Sequence, residues 1–107
     1  MTHGFVTPAA LATVDPAAAP HFDRVVVGGE AVPDDLVRRW APGRRMFNGY
    51  GPTETTILSN TTELTADRRV VIGPPIRGMR ASILDARLRP VGPGVPGELY
   101  LSGPSVT

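Results

Sequence analysis

The sequence predicts an α/β fold: a βαβ piece of a mostly parallel, layered sheet, followed by a β-rich ribbon or barrel segment, the whole being an incomplete fold. Three observations predict it. Arg24-Val-Val-Val-Gly28 is a valine run without alternation, the habit of a strand covered on both faces. A segment with helix signals and a second short apolar run follow at once, which makes strand, helix, strand with short joints. Beyond residue 66 the helix signals stop, and alternating or branched segments are separated by proline–glycine turns. A division into an α/β part over 1–66 and a β-rich part over 67–107 follows.

Gly4-Phe-Val-Thr7 is short and β-prone, and Pro8 ends it. Pro8 suits the first turn of a helix, where its missing N–H would have no partner, and Ala9–Val14 supplies that helix until Asp15–Pro16 breaks it. The alanine–proline stretch to Pro20 reads as a connector. Pro33-Asp-Asp-Leu-Val-Arg-Arg-Trp40 has proline and acids in its first turn, arginines in its last and Pro42–Gly43 as its stop. Its Leu36, Val37 and Trp40 share one face. Arg45-Met-Phe-Asn48 is the next strand. Ser59–Arg69 is polar, and Val70-Val-Ile-Gly-Pro-Pro75 reads as a strand ending in a rigid turn. Arg80–Asp85 and Glu98–Ser102 read as strands, and the prolines and glycines of Pro90–Gly97 join them tightly.

The composition narrows the function. A net charge of +1, with paired arginines interleaved among acids, predicts solvated faces and no nucleic-acid or membrane partner. No cysteine is present, so disulfides and thiolate metal sites are excluded. No apolar run approaches the ~20 residues of a membrane span, and the start lacks a signal-peptide pattern; a cytoplasmic location is expected. With few elements to cover the valine strand, the chain is expected to be only marginally stable in isolation, with an exposed parallel edge.

Two glycine-rich loops carry the chemistry. Gly28-Gly-Glu-Ala31 follows the first strand of the βαβ unit and Gly49–Thr56 follows the second, so both lie at strand carboxyl ends, where open α/β sheets bind ligands. Glycines let backbone approach a flat ligand. Tyr50 offers a ring face, and Asn48 offers a donor and an acceptor suited to a base edge. Thr53, Thr55 and Thr56 offer hydroxyls for phosphate oxygens, and Glu54 offers one hard oxygen ligand for Mg²⁺. Gly-Pro-Thr-Glu is also an ordinary turn with a threonine helix cap, and neither loop has Walker or Rossmann spacing. The residues alone predict possible phosphate-facing loops on a βαβ unit.

Asn48-Gly-Tyr-Gly-Pro-Thr-Glu-Thr-Thr56 strongly resembles the Asn-x-Tyr-Gly-Pro-Thr-Glu core motif of adenylation domains in non-ribosomal peptide synthetases, members of the AMP-forming, adenylate-forming superfamily. Val25-Val-Val-Gly-Gly-Glu-Ala31, Leu36–Trp40, Ile72-Gly-Pro-Pro-Ile76, Leu84–Val91 and Gly94–Leu101 resemble its other segments, in order, over nearly the whole chain. The resemblance implies the adenylate-forming N-terminal subdomain and a parent reaction that joins an amino-acid carboxylate to the α-phosphate of ATP. It implies nucleotide binding by Gly29, Glu30, Ala31, Asn48, Gly49, Tyr50, Gly51 and Thr53, with Asn48 at the adenine edge and Tyr50 at its face. Thr53 and Glu54 would be catalytic, Thr53 at the α-phosphate and Glu54 on Mg²⁺. Phe5, Val26, Gly28, Gly49, Ile57 and Leu58 would line the amino-acid pocket, which implies a substrate with a small or apolar side chain. Partners of the parent would be a phosphopantetheine carrier protein and condensation domains.

The chain also departs from the family. It has no lysine, so the lysine-ending phosphate loop and the catalytic lysine are both missing, and Ser102–Thr107 diverges from the family's continuation. The chain alone is therefore expected to form no adenylate. An acyl- or aryl-CoA ligase fragment of the same superfamily and a non-catalytic nucleotide-binding or relic module are the alternatives.

Overall fold

The computed structural model describes residues 3–52 and 58–106. The elements run β1 (His3–Val6), α1 (Pro8–Ala12), a 3₁₀ turn (Pro16–Ala18), β2 (Arg24–Gly28), α2 (Asp34–Trp40), β3 (Arg45–Tyr50), β4 (Asn60–Leu64), β5 (Arg80–Leu84) and β6 (Glu98–Ser102). One sheet has the order β1-β2-β3-β4, and β5 and β6 form a two-stranded ribbon. β1, β2 and β3 are parallel, whereas β4 returns antiparallel to β3.

Local signals account for the helices. Thr7 caps α1 by accepting from the Ala10 N–H at 3.3 Å, and Pro8 opens the helix. The connector that follows is more ordered than its composition suggests: the Asp15 carboxylate accepts from the Ala17 N–H at 3.0 Å and starts the 3₁₀ turn. In α2 the first-turn Asp34 and Asp35 and the last-turn Arg38 and Arg39 complement the dipole, while Leu36, Val37 and Trp40 are buried. These three pack with Leu11, Val25, Val27, Met46 and Leu64 into one apolar core.

Four sequence expectations need correction. The valine strand is covered on one face only: Val25 and Val27 are fully buried, but Val26 lies in a row with Phe5 and Phe47 on the other face, where Phe5 is 57% exposed. Residues 60–64 form a strand despite their polarity, because Asn60 and Leu64 turn inward and Glu63 turns out. Val70–Pro75 is extended but is not a strand. Pro74 and Pro75 have no N–H to give a ladder, and Gly73 sits at φ +79°. An isolated bridge between Asn60 and Pro75 is its only strand-like pairing among the described residues. Arg44 is not a solvated charge. Its guanidinium carbon lies 4.6 Å from the centre of the Trp40 ring, and its nitrogens donate to the carbonyls of Pro16, Ala19 and Phe22. Phe22 meets the same ring edge-on at 6.3 Å.

The ribbon turns through Asp85, whose carboxylate accepts from the N–H groups of Arg87 (2.8 Å) and Arg89 (3.0 Å). It is a two-stranded ribbon; no closed barrel forms among the described residues.

Arg44 thus holds the 16–22 segment beneath α2. Arg44→Ala is expected to destabilise the fold by about 2 kcal/mol through the lost ring contact and carbonyl bonds. Urea denaturation followed by fluorescence of Trp40, the sole tryptophan, measures it. An unchanged midpoint would refute it.

Candidate functional site

The parallel register pairs Val27 with Asn48 and Gly28 with Gly49, so β2 and β3 end side by side. Side chains alternate along a strand. Asn48 and Tyr50 therefore share the face toward the core and cleft, and Gly49 belongs to the opposite, open face. Two groups of predicted site residues separate on this alternation.

On the first face a cleft of about 700 Å³ opens beyond the strand ends. It is lined by Gly29, Glu30 and Ala31 from one loop, by Asn48, Gly49, Tyr50 and Gly51 from the other, and by Val70–Ile72 opposite. Every described residue expected to meet nucleotide is among them. Gly29 sits at φ +90°, which disfavours other residues there. Glu30 contributes mainly backbone: its carboxylate accepts from the Ala9 N–H of α1 at 3.0 Å. Asn48 is buried, and its Nδ2 donates to the Val71 carbonyl at 2.8 Å. A carbonyl accepts only, so this contact fixes which end of the amide faces Val71 and leaves Oδ1 as an acceptor.

On the open face Phe5, Val26, Gly28, Gly49 and Leu58 meet. A Cβ placed on Gly49 would lie 2.9 Å from Leu58 Cδ1, 3.2 Å from Val26 Cγ1 and 3.4 Å from Phe5 Cε2. One on Gly28 would lie 2.9 Å from Phe5 Cζ and collide with the Gly49 carbonyl oxygen. The two glycines thus leave room for the apolar side chains of Phe5, Val26 and Leu58 to close over the ends of β2 and β3. Thr53, Glu54 and Ile57 lie outside the described residues. Among the described residues no group of three His, Cys, Asp or Glu side chains gathers to hold a metal ion. No helix among them is long and apolar enough to cross a membrane.

Sequence reasoning missed Val32, Asp34, Pro52, Arg69 and the Val70–Ile72 wall as cleft-lining residues. The Ile-Gly-Pro-Pro motif beside that wall was the available signal. It marks a segment that cannot pair as a strand and must find other partners.

A family model described as AMP-binding enzyme matches residues 1–107. The chain is 52% identical over 104 residues to novobiocin biosynthesis protein H of Streptomyces niveus, covering 96% of this chain and 17% of that protein. It is 46% identical over 101 residues to nonribosomal peptide synthetase 5 of Aspergillus fumigatus, covering 94% of this chain and 5% of that one. The chain therefore spans a small part of these curated relatives. Among solved structures, the N-terminal subdomain of Klebsiella oxytoca NpsA in complex with 3-hydroxybenzoyl-AMSN matches with a TM-score of 0.86 and 25% identity, over 99% of this chain and 30% of that one. PA1221, an NRPS protein containing adenylation and PCP domains, shares the fold at a TM-score of 0.89 and 24% identity, over 98% of this chain and 23% of that one. With a family model matched from end to end and identities at this level, the chain belongs to the AMP-binding enzyme family, as a segment of the kind found in non-ribosomal peptide synthetase adenylation domains.

Proposed function

We propose that this chain supplies the adenine cleft and part of the amino-acid pocket of an ATP-dependent amino-acid-activating domain. The observation that carries the reading is the alternation on β3: Asn48 and Tyr50 border the cleft, while Gly49, whose backbone also lines it, has Phe5, Val26 and Leu58 around its Cβ position on the other face. A single strand thereby separates nucleotide from substrate side chain.

The adenine lies between the Tyr50 ring and the Gly29–Ala31 backbone, in a cleft whose volume falls in the usual range for small-ligand sites. Its exocyclic amine donates to Asn48 Oδ1. Guanine would present a carbonyl to that same acceptor, so the site favours adenine. The amino-acid carboxylate oxygen attacks the α-phosphorus, and the bond to pyrophosphate breaks. The Thr53 hydroxyl binds the α-phosphate. Glu54 has the chemistry to hold Mg²⁺, which when bound supplies positive charge to the phosphate oxygens. A carrier protein's phosphopantetheine thiol would then take the aminoacyl group as a thioester, with AMP as the leaving group, and condensation domains of the parent would be further partners. A lysine, which this sequence lacks, must come from elsewhere in the polypeptide.

Asn48→Leu in the native polypeptide is expected to weaken ATP binding about 10- to 100-fold, the effect of an unpaired buried polar contact. It should also erase the preference for ATP over GTP. Calorimetric titration with both nucleotides measures this, and unchanged ATP affinity would sink the adenine assignment.

The pocket predicts substrate choice. ATP–pyrophosphate exchange across an amino-acid panel is expected to favour small or aliphatic side chains over charged ones. Gly49→Ala should reduce kcat/KM for the bulkier substrates most, because its methyl meets Leu58 and Val26. Exchange driven only by a charged amino acid would refute the pocket. A second reading, activation of an aryl acid, draws support from the apolar Phe5–Val26–Leu58 surface; benzoate-type acids in the same panel decide it.

A further inference from the structure

We infer that Ser59 and Asn60 are positioning residues for nucleotide binding, holding the far wall of the cleft at its working distance from β3. This inference rests on the adenine assignment above.

The wall is the Val70–Ile72 stretch, and it cannot hold itself in place. Pro74 and Pro75 remove two ladder donors, and Gly73 at φ +79° ends the extended run. Side chains from β3 and β4 instead donate to the carbonyls of the segment. Asn48 Nδ2 donates to the Val71 carbonyl at 2.8 Å, and Asn60 Nδ2 donates to the Gly73 carbonyl at 2.9 Å. The Thr61 N–H takes the Pro74 carbonyl at 3.2 Å. Carbonyls two residues apart on the wall are thus gripped by two amides, one from β3 and one from β4.

Asn60 is in turn oriented. It is 2% exposed, and Ser59 is fully buried. The Ser59 hydroxyl lies 2.9 Å from Asn60 Oδ1 and 3.2 Å from the Tyr50 carbonyl, and the Ser59 N–H donates to that same carbonyl at 2.8 Å. The hydroxyl proton fixes the oxygen end of the Asn60 amide, which leaves the nitrogen end for Gly73. The backbone closes the circuit, since the Ile76 N–H donates to the Ser59 carbonyl at 2.8 Å and the Thr61 hydroxyl to the Asn48 carbonyl at 3.0 Å. Asn48 and Tyr50, the two groups assigned to the base, are therefore tied through Ser59 and Asn60 to the opposite wall. Gly73 lets the wall come this close: a Cβ there would lie 2.5 Å from the Thr61 carbonyl oxygen and would overlap the Thr62 side chain.

The test is steady-state ATP–pyrophosphate exchange by the native polypeptide carrying Asn60→Ala, Asn60→Asp, Ser59→Ala or Ser59→Thr. Asn60→Asp preserves size and the acceptor but sets an oxygen against the Gly73 carbonyl. The expected result is a 5- to 20-fold rise in KM for ATP for both Asn60 variants and a smaller rise for Ser59→Ala. The KM values for amino acid and pyrophosphate should not move, and Ser59→Thr, which keeps the hydroxyl, should restore the ATP value. A merely structural role predicts a lower apparent kcat from fewer folded molecules with an unchanged ATP KM, and that outcome overturns the inference. If Asn60→Ala does not fold, the Ser59 pair carries the same comparison. Asn48→Leu is run alongside. If it weakens ATP binding while the Asn60 and Ser59 variants leave the ATP KM unchanged, this inference alone fails. If Asn48→Leu has no effect either, the adenine assignment fails and takes this inference with it.

Discussion

The parallel register of β2 on β3 governs the core, the cleft and the open face alike. It sets Val25 against Met46 and Val27 against Asn48, and it brings Gly28 beside Gly49 at the strand ends. A slip of one residue would turn Asn48 and Tyr50 to the open face and drive Met46 out of the core. The apolar layer enforces the register, because Val25, Val27 and Met46 must all face Leu36, Val37 and Trp40. Packing on one face therefore decides which side chains reach the cleft and which reach the open apolar face.

Carbonyl groups without ladder partners are the second theme. A buried carbonyl or N–H left unpaired costs on the order of 1–3 kcal/mol. Around Trp40 the non-strand 16–22 segment is held by one guanidinium that bonds its carbonyls and covers the indole ring. Along the cleft wall the same need is met by asparagine amides. In both places a polar side chain does what a neighbouring strand does elsewhere. The ribbon relies less on depth. Its β5 and β6 leave Ile83 and Tyr100 exposed, and the molecule is long, with a radius of gyration of 15.3 Å against about 13 Å for a compact chain of this length.

Much of this was legible. Arg24–Gly28, Glu98–Ser102 and the 34–40 helix carry their own propensity, end-charge or turn signals, and the structure keeps these elements. The glycine loops were legible because strand ends and missing side chains are features of local sequence. Residues 60–64 were not, since a polar edge strand is defined by what it pairs with and not by its own hydropathy. Nor was the role of Arg44, which looks in sequence like one half of a solvated pair. Ser59 and Asn60 carried no motif; their burial follows from the return of β4 over β3.

Local sequence is enough for the βαβ order, the proline and charge signals of the helices and the two glycine-rich loops, because each depends on neighbours within a few positions. Long-range packing leaves one face of the valine strand uncovered and brings β4 antiparallel onto the sheet. The same packing makes the Val70–Ile72 stretch, ahead of the two prolines, a cleft wall. These outcomes depend on which partners arrive from 10 to 25 residues away to accept or donate each hydrogen bond, and no local pattern encodes that.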